Sequence, residues 1–502
     1  MLVFTVLIST VVSYIIWRLV LFISWVNRTS NIAQNIPLMP VIQNMINYYK
    51  IKNSQEMYDT FIRECGIYMD KENQIVRNWV GVKHVVSLGN PKHIETVLSS
   101  HDAAQKDSSY EYFNLYQSGL FTLNGSRWAE LRKPLNKILT KPMIESNLGV
   151  FNEKAIKLSD VLSKFAENGD TVDMRHYLAN YSVDTISITG YGHNLNELEN
   201  NKWNLSKNLD SAIAIILKMM VKVPYCLGLA VAKHTKEAQK VRGYAKYVLD
   251  ACTEVMNGRL ETKKKSGETI IGGEQLLYSD VLIEAAKKYN LNQQQTANLA
   301  VDFLIAGFDT SSVVVATILL MLAIFPEHEE GVYNEQVNLV GDDTSVPLTW
   351  EQLSNMHYLT RVIKETVRLH CPPFIGRIAS NDIDLGKHKI PKGSVILIAL
   401  YLLHRNPSCW SHPTEFYPDH FLREETATRP KSAYYPFSWG PRSCPGKLYS
   451  MISMKVVLSI LIRKYKFETD LKFEDLKHKN GLLLEIAQGY HLRIKPRHPK
   501  SQ

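Results

Sequence analysis

Phe437-Ser438-Trp439-Gly440-Pro441-Arg442-Ser443-Cys444-Pro445-Gly446 places one cysteine inside a tight glycine and proline frame. Gly440 and Gly446 permit left-handed turns and close backbone approach. Pro441 and Pro445 stiffen the loop. Arg442 puts a cation two residues before the sulfur. A thiolate held this way suits a soft or redox-active metal bound at one open face. A buried thiol in an ordinary turn is the plainer alternative, and for a lone cysteine it would win. The full pattern F-x-x-G-x-R-x-C-x-G argues against it.

The chain around this loop has 502 residues, 45% apolar and 21% charged, which is globular composition with room for a large core. The net charge of +9 is not gathered into a basic arm. It serves solubility, or a docking face for an acidic protein or anionic lipid. No basic-aromatic motif points to nucleic acid. The other cysteines, Cys65, Cys226, Cys252, Cys371 and Cys409, are scattered without CxxC or zinc spacing. A reducing compartment fits them better than a disulfide framework.

The N-terminus carries no charge before Arg18. As a helix, residues 2–26 would be about 37 Å long, enough to cross a hydrocarbon core of roughly 30 Å. A cleaved signal peptide is the alternative, but no basic n-region or clear cleavage site is present. Arg18, Arg28, Lys50 and Lys52 all precede Glu56, the first acidic residue, which places the downstream domain in the cytoplasm. The expected organisation is a membrane anchor over 1–26, a linker over 27–50 with Pro37 and Pro40, and one catalytic domain over 51–502.

Helical periodicity dominates from about residue 152 to 369, with loops near 190–204 and 262–273. Strand-like runs lie at 79–88, 389–397 and 482–494. The fold class is therefore mainly α with small β-sheets. The apolar run 212–232, interrupted by Lys218, Lys222 and Pro224, reads either as a core helix or as a lid dipping into the membrane.

An apolar helix over about 296–324 contains Ala306-Gly307-Phe308-Asp309-Thr310. An acid and a hydroxyl in such a run need partners or a function. Gly307 would let a flat ligand approach the helix backbone. Glu365 and Arg368 stand at i, i+3 on one helix face. Trp128 and Arg132 stand one helical turn apart. Arg377 follows Cys371-Pro372-Pro373.

Together these motifs, in this order, resemble the cytochrome P-450 family of haem-thiolate monooxygenases, and the resemblance covers essentially the whole chain. It implies the cytochrome P-450 fold, with haem b held by Cys444 in the loop bounded by Phe437 and Gly446. It implies that Ala306 and Gly307 flank the haem, that Thr310 holds water and oxygen, and that Asp309 helps relay protons. Trp128, Arg132, Arg377 and Arg442 match positions that bind the haem carboxylates. Glu365 and Arg368 match a buried pair completed by a third basic residue. Here that residue is His420, in Pro418-Asp419-His420-Phe421, where the family pattern has arginine. Thiolate ligation favours O–O cleavage. Pro445 has no N–H to offer the sulfur, which favours a more electron-donating thiolate.

The resemblance further implies a single-pass protein of the endoplasmic reticulum membrane with a cytoplasmic catalytic domain. It would take electrons from NADPH-cytochrome reductase and insert one atom of O2 into a lipophilic substrate. Lys133 and Lys447 suit an acidic reductase surface. Two rivals are a haem-thiolate isomerase or dehydratase that does not use O2, and a non-enzymatic haem sensor or carrier. Asp309 and Thr310 speak against both. Ile375-Gly376-Arg377 and His404-Arg405-Asn406-Pro407 are similar to the animal clan that includes fatty-acid omega-hydroxylases. Many of that clan have glutamate where this chain has Ala306, so no haem ester is expected. Fatty acid, hydrocarbon, steroid-like hormone and xenobiotic remain open as substrates.

Overall fold

Asn292 opens the longest buried helix. Its side chain accepts the Gln295 N–H, and Gln295 returns a bond to the Asn292 N–H. This reciprocal cap satisfies two otherwise orphaned donors. From it the central helix Gln293–Ile324 runs through the core. It is long and apolar enough to cross a membrane, but 78% of its apolar window is buried inside the protein. It is therefore a core helix, and Pro326 follows its end. The computed structural model describes residues 2–40, 46–47, 50–80, 83–221, 229–266 and 276–497.

Met174–Tyr191 packs along the central helix. Two glycines permit the approach. A Cβ on Gly190 would meet the Phe303 ring, and one on Gly307 would meet Ile186. Leu148–Asn168, Lys236–Ser266 and Lys447–Lys464 complete the helical core around this pair. The missing side chain of Gly307 makes room for Ile186, while its backbone still lines the central cavity.

The main sheet has strands β1 (Ile75–Val80), β2 (Lys83–Leu88), β3 (Ile375–Ile378) and β4 (Val395–Ile398), in the order β1-β2-β4-β3. β1 and β2 are antiparallel, with Ile75 opposite Leu88. β2 runs parallel to β4 with Val85 opposite Val395, and β3 closes the sheet antiparallel to β4. The expected strand over 79–88 thus splits between the last two residues of β1 and all of β2, with residues 81–82 between them outside the described set. A second sheet joins Thr171–Asp173, Tyr465–Glu468 and His491–Pro496. The pairing of Thr171–Asp173 with His491–Pro496 spans hundreds of residues, so local pattern reading passes over it. Mainly helical architecture with small sheets is as expected.

The N-terminal helix is longer than expected, Leu2–Ile32. Val12, Ile16, Trp17, Leu19 and Ile23 are exposed along it. Its last turns dock on the sheet: Trp25 meets the Trp79 ring edge-on at 5.3 Å, and Arg28 holds both Asp382 oxygens at 2.8–2.9 Å. Thr29, Ala33 and Ile36 are buried. Part of the expected linker therefore continues the helix and packs on the domain. The apolar run 212–232 is also settled in part. Ala212, Ile213, Ile216 and Met219, in helix Leu205–Val221, are buried in the core, which is the core-helix reading rather than the lid. Residues 222–228 of that run, with Lys222 and Pro224, lie outside the described set, as do residues 267–273 of the expected loop at 262–273. The described part of that loop is the end of helix Lys236–Ser266.

Candidate active site

The cysteine loop is shaped by backbone geometry. Ser438 and Gly440 have φ of 60° and 72°. The Cys444 N–H donates to Phe437 O at 2.8 Å, closing the loop. Gly440 is required twice, because a Cβ would also run into the carbonyl oxygen of Leu98. Gly440→Ala should therefore destabilise the loop by more than the ~1 kcal/mol of a left-handed alanine. Thermal unfolding of the variant would check this. Gly446 departs from expectation: its φ is −83°, and it caps helix Lys447–Lys464 rather than forming a left-handed turn.

Cys444 lines a cavity of ≈ 380 Å³ together with Phe437, Pro445 and Gly446. Its side chain is exposed, and it opens on that cavity. Burial pushes its pKa up, while the Gly446 N–H, Arg132 and Lys447 pull the other way. Cys371 also reaches the wall but is different in kind. Its buried sulfur contacts His404 Nδ1 at 3.2 Å, and burial pushes its pKa up to about 12.

The central helix presents Ala306, Gly307 and Thr310 to the cavity. Thr310 Oγ1 donates to Ala306 O at 3.1 Å, leaving its lone pairs free. Asp309 lies on another face and is absent from the wall. Its carboxylate meets Arg175 Nη2 at 2.5 Å, and Arg175 Nη1 donates to Ser312 Oγ at 2.7 Å. Burial raises the Asp309 pKa to about 7; Arg175 opposes this, and Asp210 and Glu485 add to it. Arg175 was not foreseen, since nothing local ties it to a residue 134 positions away.

At the cavity's polar edge, Trp128, Arg132 and Arg442 come together as expected. The Arg442 guanidinium lies 3.7 Å over the Trp128 ring. Arg442 donates to Ala104 O, Leu123 O and Asn124 Oδ1, yet its Nη1 is buried with no partner. Burial, then the Arg377 charge, lowers its pKa to about 10. Lys106 joins the group unannounced by any motif. Its Nζ donates to Phe121 O at 2.6 Å, and burial followed by Arg377 and Arg442 pushes its pKa well down. Arg377 is placed differently from expectation. It is buried behind the wall, donating to Gly376 O at 2.8 Å and to Ser438 Oγ at 3.4 Å.

Glu365 and Arg368 are both fully buried on helix His357–His370. Arg368 Nε and Nη2 grip the two Glu365 oxygens at 2.7 Å each. The remaining Arg368 donors reach the carbonyls of His404, Pro413 and Glu415. Burial pushes the Glu365 carboxyl up, but bonds from Arg368 and His420 outweigh it and hold the pKa below the usual range. His420 fills the third place. Its Nε2 accepts the His412 N–H at 3.1 Å, so Nδ1 carries the proton given to Glu365, also at 3.1 Å. His420→Arg would install the residue of the family pattern and still cost about 1–3 kcal/mol, because the His412 N–H loses its acceptor. Urea unfolding at matched pH would measure it.

The family model described as Cytochrome P450 matches residues 35–493. The chain is a cytochrome P450. It is 28% identical to cytochrome P450 4g1 of Drosophila melanogaster, over 86% of this chain and 84% of that one. It is 28% identical to cytochrome P450 4c21 of Blattella germanica over 92% of each chain. Cytochrome P450 4V2 of Homo sapiens is 25% identical over 95% of this chain and 94% of its own. This P450 is thus an oxidoreductase of the haem monooxygenase class, with haem b as cofactor and a cysteine thiolate as the family's axial ligand. The residues present fit that group. A thiol opens on an apolar cavity, and cations short of counter-charge, one with an orphaned buried N–H, crowd its edge.

Proposed function

We propose that this P450 is a membrane-anchored monooxygenase that inserts one atom of O2 into a lipophilic substrate, with electrons from NADPH through a separate reductase. The observation that carries the reading is the shared cavity of Cys444 and Thr310, with an apolar helix face between them and cations at the rim. Bound haem would supply the activation of dioxygen.

The chain's own residues do the rest. Cys444 Sγ would hold the iron, because it alone among the described cysteines opens to the cavity with no side-chain hydrogen-bond partner, whereas Cys371 is engaged with His404. Arg132, Arg442 and Lys106, with Trp128, would take the two haem carboxylates. Thr310 Oγ1 can accept a bond from water while its own proton stays on Ala306 O. Burial favours the protonated form of Asp309 and the Arg175 ion pair opposes it, so the pair would set how readily a proton is relayed. The apolar walls exclude bulk water.

The exposed apolar side chains of Leu2–Ile32 support a single membrane anchor, and its docking through Trp25 and Arg28 would fix the domain's tilt. The endoplasmic reticulum is the membrane the family resemblance implies, and the basic residues after the apolar run support a domain on the cytoplasmic side. Exposed Lys133 and Lys447 suit a reductase with an acidic face. The substrate class is lipophilic; fatty acid, hydrocarbon, steroid-like hormone and xenobiotic are its candidates. Oxygen uptake by the full chain in vesicles should require NADPH, reductase and a lipophilic compound together. Turnover without reductase would favour the isomerase reading, and haem binding with no turnover would favour a sensor.

A further inference from the structure

Two side chains on the cavity wall carry buried nitrogen atoms with no partner among the described residues, Arg442 and His370. Arg442 stands in the cation cluster that fits the haem carboxylates, so its orphaned Nη1 has a use. His370 has none. Its Nδ1 and Nε2 are both unpartnered, and its ring is 3% exposed. It ends helix His357–His370, three residues after Val367, and this i, i+3 spacing brings both to the cavity wall. The Glu365–Arg368 pair locks the helix in that rotation. The His478 ring stands 5.3 Å away, tilted by 32°. Burial, then the charges of His478, Arg405 and Arg368, push the His370 pKa well down. It is a neutral imidazole, with one N–H to give and one bare nitrogen to fill. Buried polar groups of this kind are costly while unpaired.

We infer that His370 is a specificity-determining residue that hydrogen-bonds a neutral oxygen function of the substrate, so that the preferred lipophile is already a ketone, aldehyde or alcohol. The protein offers His370 no partner, and the cavity is the space it borders, so the partner comes from what the cavity holds. A hydrocarbon has nothing to give it. A carboxylate would bring a charge to a stretch of wall without one, because Val367, Cys371 and Pro372 beside it are uncharged. The cations on the wall, Lys106, Arg132 and Arg442, belong to the rim. A carbonyl oxygen accepts the imidazole N–H, and a hydroxyl can serve either nitrogen. The reaction that supplies this substrate is then itself an oxidation or a hydration of a lipid chain or ring.

The inference rests on the proposed reading, in which this cavity takes the substrate. That reading fails by itself if the unaltered chain, with reductase and NADPH, takes up no oxygen with any lipophile; affinity and infrared measurements read His370 without turnover. Cyclododecanone and cyclododecane differ by one carbonyl and make a matched pair. Their binding to the haem-loaded full-length protein is followed by the haem spin-state shift or by displacement of 4-phenylimidazole. Comparing the ketone-to-hydrocarbon affinity ratio between variants cancels partition into lipid. His370→Phe should lower that ratio about tenfold, the affinity equivalent of one hydrogen bond, through weaker ketone binding alone. His370→Gln, which keeps a donor and an acceptor, should restore most of it. In the unaltered protein the carbonyl stretch of bound cyclododecanone should fall below its frequency in hexane, and it should return to that frequency in His370→Phe. An unshifted stretch in the unaltered protein, or a ratio unchanged in His370→Phe, would overturn the assignment.

Discussion

Arg368→Ala should yield no folded, haem-loaded protein. The substitution strands the fully buried Glu365 carboxylate, a loss of about 3–5 kcal/mol. It also unpairs the carbonyls of His404, Pro413 and Glu415, at about 1–3 kcal/mol for each group that water cannot reach. The total reaches the whole stability of an ordinary domain, about 5–15 kcal/mol. Arg368→Lys should fail nearly as badly, because one ammonium cannot reproduce a planar fork that serves five acceptors. Soluble yield and haem content per chain would measure both. A stable, haem-loaded Arg368→Ala protein would remove this network from the account.

Cys444→Ser should leave a folded protein without monooxygenase turnover. The side chain is close in volume, and the Cys444 N–H bond to Phe437 O does not involve the sulfur. The loop geometry set by Ser438 and Gly440 is therefore retained. What disappears is the thiolate that donates electron density to iron. The reduced carbonyl complex should lose the red-shifted absorption of thiolate ligation, while far-ultraviolet circular dichroism stays unchanged. Cys371→Ser should leave that absorption intact, since the Cys371 sulfur is already engaged with His404.

Much of this site was legible in the chain. The cysteine frame, Trp128 with Arg132, the Ala306 to Thr310 run and the Glu365–Arg368 pair are local patterns whose spacing survives into the fold. What escaped depends on residues meeting across the chain. Lys106 is a single lysine in a loop, and only folding brings it beside Arg442. Arg175 takes the side of Asp309 that faces away from the cavity, because successive residues on a helix point about 100° apart. Arg377 has the right neighbours in sequence, but its side chain is held by Ser438 behind the wall. The N-terminal helix overran its expected end because no proline or glycine stands between Val26 and Ile32.

The central claim is that Cys444, Thr310 and their cavity serve oxygen insertion. Turnover of a lipophilic substrate by the full chain with reductase and NADPH, under isotopically heavy dioxygen, tests it most directly. One heavy oxygen atom is expected in the product and the other in water, with both lost in Cys444→Ser. A product formed without dioxygen, or carrying oxygen only from solvent, would contradict it.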